Sequence, residues 1–150
     1  MEFWQKILIG IWGILGFIGF LEGYRISSVK KQNLKWCGPF TLFGAFVWAD
    51  MVIFGIFWAM ASAVLLLINN WILFPVTLSV FWTVRSLGEV NYWFNQQFST
   101  IVRYSFKDNR WLMRIFNDDY TVWFVIQIIM QCVAVISLLF SIYFIKLWLG

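Results

Sequence analysis

Long apolar blocks constrain this chain more than any other feature of its sequence. Four of them cover about residues 3–23, 40–68, 71–98 and 120–147. A helix of about 20 apolar residues spans the ~30 Å hydrocarbon core of a bilayer. The 150-residue chain is 62% hydrophobic and 12% charged, against about 25% charged residues in a soluble domain. The blocks predict an all-α integral membrane protein, a four-transmembrane-helix bundle that forms a single domain over residues 1–150.

The basic residues between the blocks predict how the helices cross the membrane. The connection after the first block carries Arg25, Lys30, Lys31 and Lys35. The connection after the third block carries Arg103, Lys107, Arg110 and Arg114. The opposite side has only Lys6 and Lys146. Because cytoplasmic loops are enriched in Lys and Arg, we expect both basic loops in the cytoplasm and both termini outside.

The second basic connection also has a helical pattern. In residues 99–118 the four basic residues are separated by 4, 3 and 4 positions, which places them along one edge of a helix. Apolar residues fall mostly on the other side. We therefore expect a short basic amphipathic helix between the third and fourth spans, on the inner leaflet or as a cytoplasmic extension of the third span. Its basic edge either contacts anionic lipid or only reflects the orientation of the chain in the membrane.

Glycine recurs in the first block, in "GIWGILGFIGFLEG". Gly10, Gly13, Gly16 and Gly19 are three residues apart, and Gly19 with Gly23 forms a G-x-x-x-G pair. At about 100° per residue, steps of three wind around half of the helix. The pattern favours a close helix crossing, within the bundle or between subunits.

The third block, "FWTVRSLGEVNYW", contains an arginine and a glutamate four residues apart. They belong to a stripe with the 3-4-3-4 spacing of an inward-facing seam: Trp82, Arg85, Glu89, Tyr92 and Gln96. Each charge costs about 2.5–3.5 kcal/mol at the centre of a membrane helix, so the stripe should face protein rather than lipid. Gln127 and Gln131, also four apart, are the polar partners expected from the fourth helix.

Asp50 completes the predicted intramembrane polar site. If the second helix begins at residue 40, Asp50 lies about 15 Å along it, at the depth of Arg85 and Glu89 on the neighbouring antiparallel helix. The sequence thus predicts that Arg85 is shared between Asp50 and Glu89. A functional cavity and a static cluster that orders the bundle both fit this pattern.

The sequence lacks the residue patterns that metal binding, redox chemistry and histidine-based catalysis require. The chain has no histidine, and its two cysteines, Cys37 and Cys132, lack metal or redox spacing. We expect no metal and no cofactor, and a non-enzymatic role is favoured over catalysis. The net charge of +4 is explained by the membrane loops, so nucleic acid is not an expected partner.

Three functions remain open on the sequence. The preferred one is a small polytopic protein that binds or conducts a small solute or ion through the polar site, as a homo-oligomer. The first alternative is a binder of, or enzyme for, a lipid or sterol-like amphiphile. The second is an accessory subunit that pairs its polar stripe with another membrane protein.

Overall fold

The computed structural model of the chain describes residues 1–100, 114–116 and 118–150, and this part is helical without β-strands. The α-helices are α1 (Phe3–Tyr24), α2 (Trp48–Ile68), α3 (Leu73–Phe98) and α4 (Asp119–Leu149). A π-helical turn, Arg25–Val29, continues α1, and a 3-10 helix, Gly38–Phe43, precedes α2. The predicted all-α class is confirmed for these residues.

Three of these helical segments are long and apolar enough to cross a membrane: Phe3–Val29, Trp48–Ile68 and Asp119–Leu149. They support the prediction of a membrane protein. Helix α3 is not among them, since it carries serines, asparagines, glutamines and two charges along its length. The chain divides into two compact units, Met1–Pro75 and Val76–Gly150.

In the first unit, α1 and α2 cross closely as an antiparallel pair. A Cβ atom added to Gly55 would lie 2.6 Å from the carbonyl oxygen of Gly16, and one added to Gly13 would lie 2.7 Å from Cβ of Ser62. Gly19 and Gly23 are also buried, whereas Gly10 has no neighbour within 4 Å of that position. The expected close crossing is therefore present, and four of the five glycines share one buried face.

The second helix begins later than the sequence predicts. Gly38-Pro39 starts a 3-10 helix that ends at Phe43, and Gly44 then takes a left-handed conformation (φ 79°) that reverses the chain. The expectation of a continuous helix from residue 40 is thus wrong, because that apolar segment forms a separate turn before α2. Its backbone pairs with itself at the isolated bridge between Trp36 and Val47.

The connection also supplies the cap of α2. The first N–H groups of a helix have no intrahelical acceptor. Here the N–H of Trp48 donates to the carbonyl of Lys35 at 3.2 Å, and that of Ala49 to the carbonyl of Asn33 at 3.1 Å. The connection and the start of α2 therefore form one hydrogen-bonded structure.

In the second unit, α4 begins at a side-chain cap. Asp118 accepts from the N–H of Thr121 at 2.8 Å and from its hydroxyl at 2.8 Å. These hydrogen bonds stabilise the carboxylate and lower the pKa of Asp118.

Candidate functional site on helix α3

An ion pair and an indole hydrogen bond occupy the middle of α3. The guanidinium of Arg85 pairs with Oε1 of Glu89, one helical turn away. The indole Nε1–H of Trp93 donates to the other carboxylate oxygen, Oε2, at 2.8 Å. The side chains of Arg85 and Glu89 are only 14% and 12% exposed. Both oxygens of the carboxylate thus have a cationic or polar partner, and the pair contributes no net charge to its surroundings.

The buried face of α3 keeps Trp82, Glu89 and Gln96 of the predicted stripe and differs from it at two positions, where Ser86 and Trp93 are more buried than Arg85 and Tyr92. Its buried members are Ser79, Ser86, Glu89, Trp93 and Gln96. These positions also follow spacings of three and four once Trp82, which is half-buried, is included. Tyr92 is exposed. The polarity of the sequence favoured Arg85 and Tyr92, whereas the small serine and the large indole pack better at the neighbouring positions.

One of the two predicted partners on α4 contacts α3. The side-chain amide of Gln97 donates to Oε1 of Gln127 at 2.6 Å, and also to the backbone carbonyl of Trp93 at 3.2 Å. Gln127 is buried, but Gln131 lies on the exposed side of α4. Gln131 lies only one helical turn further along α4 but is exposed, so its expected contact with α3 stays a prediction.

A cavity of about 480 Å³ lies along the C-terminal half of α3. Among the described residues its walls are Gly88, Asn91, Tyr92, Asn95, Gln96 and Ser99. The volume is in the range of about 300–1,000 Å³ found for small-molecule sites. The side chains of these described wall residues are carboxamides, a phenol and a hydroxyl, and none of them is charged. This surface suits a molecule that both donates and accepts hydrogen bonds.

Two asparagines of this cavity keep hydrogen-bonding capacity for a ligand. The amide of Asn95 donates to Oδ1 of Asn91 at 3.0 Å, an i,i+4 contact on the helix surface. Within the described part of the chain, the carbonyl oxygen of Asn95 and the amide N–H groups of Asn91 have no other partner. The sequence stripe missed both residues because they lie beside its seam. Their spacing of four was the signal that could have found them.

Asp50 does not occupy the position that the sequence predicts. It lies in the first turn of α2, not ten residues along the helix. Its Oδ2 accepts from the backbone N–H of Phe46 at 3.2 Å, in the connection that leads into α2. The predicted depth of Asp50 is wrong because it assumed a helix start at residue 40, and the carboxylate instead stabilises the turn before α2.

Of the four basic residues predicted to contact anionic lipid, only Arg114 lies in the described part of the chain. Arg103, Lys107 and Arg110 lie outside the described residues, and Arg114 is exposed. The expected amphipathic helix over 99–118 stays a prediction.

No family model, curated protein or solved structure matches this chain. The candidate site therefore stands on its own geometry: a neutralised ion pair in the middle of α3, followed by a polar cavity toward its C-terminal end.

Proposed function

We propose that α3 is a fourth transmembrane helix, in a multi-pass protein with both termini outside and the basic connections in the cytoplasm. Its 26 residues give a length of about 39 Å, enough for a hydrocarbon core of about 30 Å. The contact between Arg85 and Glu89 supports this placement, because mutual neutralisation lowers the cost of charge in the membrane. The basic residues after α1 support the orientation.

We further propose that the protein binds a small uncharged polar solute in the cavity on α3, without catalysing a reaction. The cavity walls carry this proposal, because carboxamide and hydroxyl groups replace the hydrogen bonds that such a solute makes with water. An alcohol, amide or polyol is the ligand class that fits best.

The charge distribution favours a neutral solute over an ion. The carboxylate of Glu89 is engaged on both oxygens by Arg85 and Trp93. Among the described residues of the cavity wall, an ion would find no full opposite charge to offset the water that it loses on entering. A neutral molecule loses less hydration free energy on entering the cavity, and hydrogen bonds to the side chains of Asn91 and Asn95 offset that loss.

Passage of the solute across the membrane requires more than one chain. Three or four helices leave little room for a continuous path within one protomer. We therefore propose that transport, as opposed to binding, occurs in a homo-oligomer.

A second candidate ligand is an amphiphile such as a lipid or sterol-like molecule. The observation that favours it is the apolar surface beside the cavity: Leu87, Phe94 and Phe98 on the same helix are exposed. A molecule with a hydroxyl or amide head and an apolar tail would place the head in the cavity and the tail along these side chains.

Saturation-transfer-difference NMR on protein in nanodiscs tests the ligand class. The probes are urea, glycerol and myo-inositol as neutral solutes, acetate as a charged one, and cholesterol as an amphiphile. We expect signals from a neutral solute that disappear in the double variant Asn91→Ala/Asn95→Ala. The control variant is Asn33→Ala, which changes an exposed asparagine that contributes only its backbone carbonyl.

Three results would each contradict one part of this proposal: the location of the site, the preference for a neutral ligand, or the choice of a small solute. Signals that survive the double variant would place the ligand elsewhere. Acetate signals as strong as those of the neutral probes would contradict the charge argument. A response to cholesterol alone would favour the amphiphile.

A further inference from the structure

The connection between α1 and α2 carries positive charge that the described residues leave uncompensated. Arg25 pairs with Glu22 at 3.3 Å. Lys30, Lys31 and Lys35 are exposed, and within residues 1–100, 114–116 and 118–150 no acidic group pairs with them. Three like charges within six residues repel one another unless an anion lies nearby.

The backbone that displays these lysines has an unusual shape. A π-helical turn ends at Val29, and Lys31 then adopts a left-handed conformation with φ 52°. Such a conformation is uncommon for a residue with a side chain and is found where the surrounding structure enforces it. The backbone on either side of Lys31 is hydrogen-bonded: the N–H of Gln32 donates to the Ile26 carbonyl at 3.3 Å, and the carbonyls of Asn33 and Lys35 accept from the start of α2.

Exposed apolar side chains lie between the lysines and the end of the connection. Val29, Leu34 and Trp36 are each well exposed, although the neighbouring Cys37 is buried. Tryptophan is enriched at the level of the lipid headgroups, where its ring contacts both apolar and polar groups. Lysine beside exposed apolar residues is the pattern of a surface that lies on an anionic membrane.

The rest of the connection extends from this surface along the helix pair. The ring of Phe43 stacks on Trp12 of α1 at 4.4 Å between centroids, and the indole of Trp58 of α2 donates to the Phe43 carbonyl at 3.1 Å. Trp58 lies ten residues into α2, about 15 Å from its start. The 3-10 turn therefore reaches toward the middle of both helices, and Leu42 at its tip is 64% exposed.

These contacts satisfy the requirement that membranes place on non-helical backbone. Such backbone is tolerated at membrane depth only where it is buried in protein. Phe43, Gly44 and Ala45 are buried, and their segment is held by the Trp58 hydrogen bond and by the thiol of Cys37, which donates to the Ala45 carbonyl at 2.9 Å. The turn thus has its polar backbone covered and an apolar side chain outside.

We propose that this connection is a docking surface for anionic phospholipids of the leaflet on its side of the membrane. Lys30, Lys31 and Lys35 contact the phosphate groups, Trp36 lies at the headgroup boundary, and Leu42 contacts the acyl chains. Charge complementarity identifies the occupant, since a neutral lipid surface would leave the lysines without counter-charge. The proposal is independent of the solute cavity on α3.

The test measures thermal unfolding of the purified protein in neutral detergent with added short-chain phosphatidylglycerol or phosphatidylcholine. We expect phosphatidylglycerol to raise the Tm of the wild type more than phosphatidylcholine does. In the variant K30Q/K31Q/K35Q, the half-maximal concentration of phosphatidylglycerol should increase by up to about a hundredfold, about fivefold for each lysine lost. The matched control is K6Q/K146Q, which removes two exposed lysines elsewhere and should behave as wild type.

Each alternative result overturns the assignment. An equal response to the two lipids would show that headgroup charge is not recognised. An unchanged phosphatidylglycerol response in the triple variant would place recognition at other basic residues. Stabilisation by inorganic phosphate alone, equal to that by phosphatidylglycerol, would identify a free anion as the ligand.

A depth measurement tests the same surface without changing its charge. In a Cys132→Ser background, Leu42→Cys and Leu34→Cys carry a fluorophore in vesicles that contain lipids brominated on the acyl chains. We expect strong quenching at position 42 and weaker quenching at position 34. Equal, weak quenching at both positions would show that the 3-10 turn does not enter the acyl region, and would contradict the proposed arrangement.

Discussion

Replacement of Arg85 by methionine should destabilise the protein substantially. The change keeps a long side chain but leaves the carboxylate of Glu89 with the indole of Trp93 as its remaining partner among the contacts described above. Breaking a buried ion pair by removing one partner costs about 3–5 kcal/mol. Because the Trp93 hydrogen bond remains, we expect a value at the lower end, about 3 kcal/mol.

A second ion pair of the same protein provides the matched control. Arg25 and Glu22 are also one helical turn apart, but their side chains are 61% and 39% exposed. Exposed pairs contribute about 0–1 kcal/mol, so Arg25→Met should change the free energy of unfolding by no more than that. The contrast between the two arginine variants isolates burial as the cause.

The double variant Arg85→Met/Glu89→Gln tests the reason for the loss. Glutamine removes the unpaired charge, and its carbonyl can still accept from the Trp93 indole. The double variant should therefore be more stable than Arg85→Met alone, by about 1 kcal/mol or more. The assay is reversible unfolding in mixed micelles with increasing SDS, followed by tryptophan fluorescence. The argument for a buried pair is refuted if Arg85→Met unfolds like the wild type. It is also refuted if the double variant is less stable than both the wild type and Arg85→Met.

Three further predictions concern other parts of the molecule. Gly55→Ala should lower the free energy of unfolding by about 1–3 kcal/mol in the same SDS assay, because the added Cβ meets the Gly16 carbonyl of α1. Gly10→Ala, which meets no neighbour, should be neutral or stabilising. Equal effects of the two substitutions on stability would contradict the close crossing. Burial raises the pKa of Cys37 to about 11, so only about one thiol in a thousand is ionised at pH 8. A water-soluble maleimide should therefore label Cys37 far more slowly than an ordinary loop cysteine, with a labelling rate that rises up to about pH 11. Rapid labelling at pH 8 would contradict the burial of the thiol. Asp118 contributes its cap above the ordinary carboxyl pKa of 3.8 and loses it as pH falls through its lowered folded value. Protection of the first amides of α4, relative to their intrinsic exchange rate at each pH, should therefore fall below pH 3.8 in the wild type, whereas Asp118→Asn should show no such pH step.

The bounds of a helix were predicted well where the length of the apolar block alone determines them. The spans of α1 and α4 differ from their expected bounds by two residues or fewer at each end. Length could not predict that residues 38–47 leave the helical path, because Phe40, Leu42 and Phe43 are as apolar as a membrane helix. The left-handed turn at Gly44 follows Phe43, whose carbonyl accepts from the Trp58 indole, a tertiary contact that apolar length does not predict.

The candidate site shows the same limit. Spacing predicted the contact between Arg85 and Glu89, but the partner of Gln127 on α3 is Gln97, which lies outside the predicted stripe. It could not distinguish Trp93 from Tyr92 as the inward aromatic residue, since steps of three and of four from Glu89 both fit an inward seam. The depth of Asp50 was wrong because an error in the helix start shifts every residue that follows.

The measurement that tests the proposed function most directly is protection of the cavity from alkylation. In a Cys132→Ser background, Gly88→Cys places a single accessible thiol in the wall of the α3 cavity without removing Asn91 or Asn95, and Asn33→Cys places one on an exposed loop. We predict that glycerol or urea slows the reaction of a small maleimide at position 88, with saturation, and leaves position 33 unaffected, whereas potassium acetate slows neither. Identical rates at position 88 with and without every neutral solute would contradict solute binding at this site.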